Sequence, residues 1–177
     1  MSGKGVIVGN LNTVLNGQSA RFIGNGMLNI WRFSNMDFQT TLTIEFKFTV
    51  SGTGYASEAL VSNCIGSDLE EASLLILADR SRNYVVFRTL TYGGTAEMSV
   101  SYNPSIQNSV VYVYDGKMMT GVVNGVVAQR PLSGNIQRRQ TGIILGAASK
   151  CAFFQGELDE FKLYKCFPSS VGPYVSP

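Results

Sequence analysis

Apolar and polar residues alternate with a period of two along most of the chain, and the three-to-four-residue period of an amphipathic helix is nearly absent. Across residues 41–50, Leu42, Ile44, Phe46, Phe48 and Val50 fall on one face and Thr43, Glu45, Lys47 and Thr49 on the other. That pattern predicts a strand buried on one side and wet on the other. Residues 96–102 repeat it, with Met98, Val100 and Tyr102 against Glu97, Ser99 and Ser101. Further strand-forming runs fall at 19–22, 27–33, 59–63, 73–78, 84–91 and 142–145. Residues 109–130 predict an antiparallel meander, because Asp115-Gly116 and Asn124-Gly125 supply the positive φ angles of tight hairpin turns between β-rich runs. In the last run Leu158 is out of phase with Phe161 and Leu163, which predicts a bulge at Asp159-Glu160 with the carboxylates accepting backbone N–H groups. Residues 67–72 suit a short helix or a loop equally.

More than ten short strands and nineteen glycines, with turn signals about every ten residues, point to an all-β fold. The expected architecture is a two-sheet antiparallel β-sandwich with jelly-roll topology. A chain of 177 residues suits one domain. Residues 18–167 are assigned to it, with 1–17 as a lead-in and 168–177 as a Pro-containing tail outside the sheets. Charged residues make up 15%, well below the roughly 25% of an average domain, and the net charge of +2 is too small for the electrostatic footprint of a nucleic-acid binder. The absence of histidine removes the Ser-His-Asp and Cys-His nucleophiles and every His-containing zinc site. No apolar run is long enough to insert into a membrane. The first twenty residues lack the apolar core of a secretory signal, so the expectation is either an intracellular protein or one domain of a longer chain.

Phe154-Gln-Gly-Glu-Leu-Asp-Glu-Phe-Lys-Leu-Tyr-Lys-Cys166 resembles the closing strand of laminin G-like domains of the concanavalin A-like superfamily. Other landmarks follow in that family's order: Ala20-Arg-Phe-Ile-Gly-Asn-Gly26, Leu42-Thr-Ile-Glu-Phe46, Asp115-Gly116, Val123-Asn-Gly-Val126 and Ile144-Leu-Gly146. Arg32-Phe-Ser-Asn-Met36, Val61-Ser-Asn-Cys64 and Tyr164-Lys-Cys166 are similar to the laminin G-like module of Pif-type molluscan shell-matrix proteins. The resemblance implies an extracellular, mineralising matrix. It also implies a Cys151–Cys166 disulfide tying the closing strand to the segment before it, with Cys64 left over. Pairing of Cys64 with either, or three reduced thiols, are the alternatives.

Superfamily glucanases carry Glu-x-Asp-x-Glu on one strand face; here Glu157 and Asp159 match, but Phe161 replaces the general acid, so no catalytic residue is assigned. Asp68, Glu70 and Glu71 form either a solvated acidic loop or part of a calcium site. The pairs Arg80 with Arg82 and Arg138 with Arg139 are exposed loop charges or guanidinium forks for sulfated sugar, phosphate or carbonate. Of the aromatics that can stack on a sugar ring, Trp31 lies inside an apolar run and is read as core, whereas Tyr92, beside Gly93-Gly94, is read as exposed.

The expected function is a non-catalytic extracellular matrix or adhesion module. It would recognise glycan (chitin among them), matrix protein or a mineral-associated polymer through loops at one rim or through a concave face, with calcium as the only candidate cofactor and self-association open. A structural protein of a viral particle or an intracellular assembly is the alternative. Neither nucleic acid nor a membrane is an expected partner.

Overall fold

The computed structural model describes residues 13–16, 19–64, 72–148 and 151–175, and among them fourteen strands build two sheets. In chain order they are β1 (Thr13–Asn16), β2 (Ser19–Ile23), β3 (Leu28–Ile30), β4 (Leu42–Val50), β5 (Ser57–Ser62), β6 (Leu74–Asp79) and β7 (Tyr84–Thr91), followed by β8 (Gly94–Ser101), β9 (Asn108–Tyr114), β10 (Met118–Val123), β11 (Val126–Pro131), β12 (Ile143–Leu145), β13 (Ala152–Phe153) and β14 (Gln155–Tyr164). One sheet has the order β1-β2-β14-β4-β9-β10-β11, the other β3-β12-β5-β6-β7-β8. Every pairing is antiparallel except that of the two-residue β13 with β5. The closing strand β14 thus lies between β2 and β4 in the middle of its sheet, the long-range return of a jelly roll.

The apolar face of the 41–50 alternation is buried from Leu42 to Phe48, as predicted. Leu42, Ile44, Phe46 and Phe48 are buried against Leu60, Leu74, Ile76 and Phe87 of the facing sheet. Phe87 stacks on Tyr112 with ring centroids 6.1 Å apart, and Phe48 meets Tyr102 edge-on at 5.2 Å. The Tyr112 hydroxyl, sealed in this core, pairs with Thr89 Oγ1 at 2.6 Å, so the polar atom costs little. Opposite Phe87 the chain needs Gly121, where a Cβ would come within 2.7 Å of the ring.

Asn124 (φ 50°) and Gly125 (φ 83°) form the two-residue turn that pairs Val123 with Val126, as the Asn-Gly signal requires. The bulge also falls where the phase slip puts it. Pairing of β14 with β4 shifts between Asp159 and Lys162, Glu160 has φ 50°, and Asp159 Oδ1 accepts the Glu160 N–H at 2.8 Å.

Three expectations need correction. The sheet reaches back to Thr13, since β1 pairs with β2 inside the segment read as lead-in. Trp31 is not core: β3 stops at Ile30, residues Trp31–Phe33 turn as a 3-10 helix, and the indole is 61% exposed. Finally, the polar face of β4 is not fully wet. Thr43, Thr120 and Val122 are buried because the chain after β14 folds back over this face. Thr43 Oγ1 donates to Cys166 O, Ser170 Oγ to Glu45 and Thr120 Oγ1 to Tyr174 O, while Val171 is fully buried in the 3-10 segment Ser169–Tyr174.

A candidate ligand-binding rim

Loops gather at two opposite ends of the sandwich. At the first rim, residues 51–56, 80–83 and 102–107 meet, tied by Arg80 N–H to Ala56 O and Tyr102 N–H to Asn83 O. At the second, residues 92–93, 115–117 and 132–142 meet, tied by Tyr92 N–H to Asn135 O and Leu132 N–H to Lys117 O. The eight residues of β7 separate the two by about 26 Å.

The first rim is organised by one buried ion pair. Glu58, on β5, is completely enclosed, and Arg80, leaving β6, has a side chain only 13% exposed. Arg80 Nε and one terminal nitrogen hold Glu58 Oε2 at 2.9 and 2.8 Å. Arg80 also donates to the carbonyls of Ser51, Gly52 and Gln155 at 3.1, 3.2 and 2.5 Å, so one guanidinium fastens the β4–β5 loop and the start of β14 to the opposite sheet. Glu58 Oε1 accepts the Tyr55 N–H at 2.9 Å and Oε2 accepts the Gln155 N–H at 3.2 Å. The loop can approach this closely only because residue 54 is glycine: a Cβ there would collide with the Glu58 carboxylate and the Arg80 guanidinium.

Clamped in this way, the loop borders an open cleft of about 510 Å³ between residues 50–56, the 80–83 turn, Tyr102 and Pro104. The Tyr55 side chain stands 63% exposed at its edge. Tyr102, 94% buried, lines the cleft, and its hydroxyl has no hydrogen-bond partner among the described residues. Burial raises the pKa of this phenol above its usual value; the Arg80 charge opposes that rise and the Glu58 and Asp79 carboxylates add to it. Beside the cleft the 68% exposed Arg82 pairs with Asp79, at 2.6 and 2.7 Å. Burial pushes the Asp79 carboxyl up, but hydrogen bonds from Ser81 and Arg82 outweigh it and leave the carboxyl below its usual range.

The structure therefore divides the sequence candidates. Arg80 and Arg82 lie at the first rim in fixed pairs. Tyr92, 72% exposed as expected, lies at the second with Arg138 and Arg139, which reach Asn35 O at 2.6 Å and Gln137 Oε1 at 3.1 Å. A smaller recess of about 290 Å³ beside Gly93 and Lys117 opens there. Asp68, Glu70 and Glu71 lie outside the described residues. Among the described residues no cluster of three metal-ligating side chains occurs, and no helix is long and apolar enough to cross a membrane.

The Cys151–Cys166 bridge is not formed. The two residues flank the ten residues of β14, a span of roughly 30 Å, whereas a disulfide needs Cα atoms within about 7 Å. On that strand the glucanase pattern is broken as well. Glu157 faces out, Phe161 packs against the core beyond the bulge, and Glu160 is engaged by Lys47 Nζ at 2.6 Å.

Sequence reasoning passed over Tyr55 and Glu58. The aromatic was within reach, since Gly52-Thr-Gly-Tyr55 carries the same glycine-flanked signal that singles out Tyr92. The Glu58–Arg80 pair, 22 residues apart with no local pattern, was not.

Two sheets in this order, closed by a central β14, define a laminin G-like β-sandwich. The fold matches mouse laminin α1 domains LG4-5 with a TM-score of 0.68 at 14% identity, over 86% of this chain and 42% of that one. The carbohydrate-binding module CBM40 of the Ruminococcus gnavus IT-sialidase, bound to α2,3-sialyllactose, matches at 0.60 with 16% identity, over 74% and 79%. No family model matches the sequence. Among curated proteins the chain is similar to uncharacterized shell protein 26 of Lottia gigantea, 34% identical over 117 residues, which are 65% of this chain and 66% of that protein. It is also similar to a shell matrix protein of Mytilus californianus, 28% identical over 155 residues, or 85% and 51%. The chain thus spans two thirds or less of the length of these relatives.

Proposed function

We propose that this domain is a non-catalytic glycan-recognition module of an extracellular shell matrix. The observation that carries the reading is the first-rim cleft, a preformed recess with an exposed aromatic ring at its edge and exposed, uncharged Thr53 and Asn83 side chains along its lining. Similarity to shell proteins supports the setting, and the carbohydrate-binding neighbour shows that a sandwich of this shape can hold a sugar. The chemistry present supports a binding rather than a hydrolytic role. Glycoside hydrolysis needs two carboxyl groups flanking the scissile bond. Glu58, behind the cleft, is locked to Arg80, and the closing strand presents Phe161 where a general acid would be needed. The tail across the outer face of β4 and β10 leaves the rim as the better-exposed surface. A glycan array and a chitin pull-down, each with and without calcium, test the reading: retention on at least one glycan supports it, and failure to retain any under either condition refutes it.

A further inference from the structure

We propose that the first-rim cleft takes an uncharged, hydroxyl-rich glycan chain, read by stacking on Tyr55, and that it discriminates against carboxylated and sulfated sugars. This rests on the glycan-recognition reading above and narrows it to one site and one class of sugar.

Arg80 is the only charged side chain in the lining, and it is the group to which an acidic sugar would be drawn. A guanidinium has five N–H donors, and a fork onto a carboxylate or sulfate needs two that point the same way. Here Nε–H is given to Glu58, two N–H groups of one terminal nitrogen go to Ser51 O and Gln155 O, and one of the other goes to Gly52 O. A single N–H remains, which cannot make a fork. The buried Glu58 carboxylate also cancels the charge, and a second carboxylate would have to be placed close to it. Arg82, in the same turn, is paired with Asp79 through Nε and one terminal nitrogen and is not among the residues that line the cleft.

What the cleft does offer suits a neutral pyranose. Such a ring has an apolar face and a rim of hydroxyls. The exposed Tyr55 ring supplies a flat surface for the first, and its backbone is pinned by Glu58, so stacking needs little reordering. For the second, Thr53 and Asn83 line the cleft as exposed, uncharged side chains able to hydrogen-bond.

Isothermal titration of the whole domain at 0.15 M salt tests this with four probes: the N-acetylglucosamine and glucose β-1,4-linked hexamers, 3′-sialyllactose and a heparin tetrasaccharide. At least one neutral hexamer should bind at least tenfold more tightly than either anion. Tyr55→Ala should weaken it by about tenfold or more. Tyr55→Ala should leave the melting temperature nearly unchanged, because the ring is exposed, and this separates a contact to ligand from a structural role. Tyr92→Ala, at the opposite rim, should change nothing. An anion that binds as tightly as the hexamers, or affinity lost with Tyr92→Ala and kept with Tyr55→Ala, overturns the inference while leaving glycan recognition standing. Absence of binding to all four probes overturns this inference, and the array decides the broader reading separately.

Discussion

Replacing Glu58 by Gln tests the organisation of the rim with almost no change in volume. Both carboxylate oxygens are acceptors in the native state, Oε1 from the Tyr55 N–H and Oε2 from Arg80 and the Gln155 N–H. A glutamine amide can accept at only one end, so in either orientation its NH₂ faces a donor, and Arg80 keeps a charge that is 13% exposed and no longer balanced. Breaking a buried pair from one side costs about 3 to 5 kcal/mol, and the partial exposure of Arg80 places this case near the lower end, at about 3 kcal/mol. For a chain of this size each kcal/mol moves the melting temperature by about 2 to 4 °C, giving a fall of about 6 to 12 °C. Urea unfolding followed by circular dichroism measures the loss directly, and Arg80→Met with Glu58→Gln completes a double-mutant cycle. The double variant should lose less than the sum of the two single losses, because removing both charges leaves none unbalanced. A loss below about 1 kcal/mol for Glu58→Gln, or strict additivity in the cycle, would refute the clamp.

Other consequences are more local. Gly125→Val should destabilise by on the order of 1 kcal/mol or more, since φ 83° strains a β-branched residue; an unchanged urea midpoint would contradict the turn. Phe48→Ala should cost about 3 to 5 kcal/mol through lost burial and a cavity, whereas Lys47→Ala, on the other face of β4, should be nearly silent in the same assay. In non-reducing peptide mapping Cys151 and Cys166 should appear unlinked, and Cys166, which is exposed, should be alkylated first. Burial pushes the Cys151 thiol up to about 11, so its alkylation rate should keep rising past pH 9 as thiolate forms, and a plateau below pH 9 would contradict that environment.

Much of the sandwich was legible because its signals are local. The five apolar positions of residues 42–50, the Asn124-Gly125 pair and the phase slip between Leu158 and Phe161 each lie within one or two strands, where side-chain period and turn geometry decide the outcome. Misreadings arose where distant chain intervenes. Nothing near Thr43 or Thr120 announces that residues 166–174 will cover them. An apolar run containing Trp31 does not show that its strand ends at Ile30. The expected cystine came from resemblance alone and failed on the length of β14. The site followed the same division. Exposed aromatics beside glycine can be read from sequence, as Tyr92 was and Tyr55 was not. By contrast, whether an arginine is available to a ligand depends on acceptors supplied by residues 51, 52, 58 and 155, which only the folded chain brings together.

The most direct test of glycan recognition at the first rim is a titration of the ¹⁵N-labelled domain with the N-acetylglucosamine and glucose hexamers, followed amide by amide. Shifts with at least one of them should concentrate in residues 52–56, 81–83 and 102–105 and saturate together as one site. Shifts confined to residues 92–95 and 132–139, or to the face under residues 169–174, or no shift with either hexamer at millimolar concentration, would contradict the account.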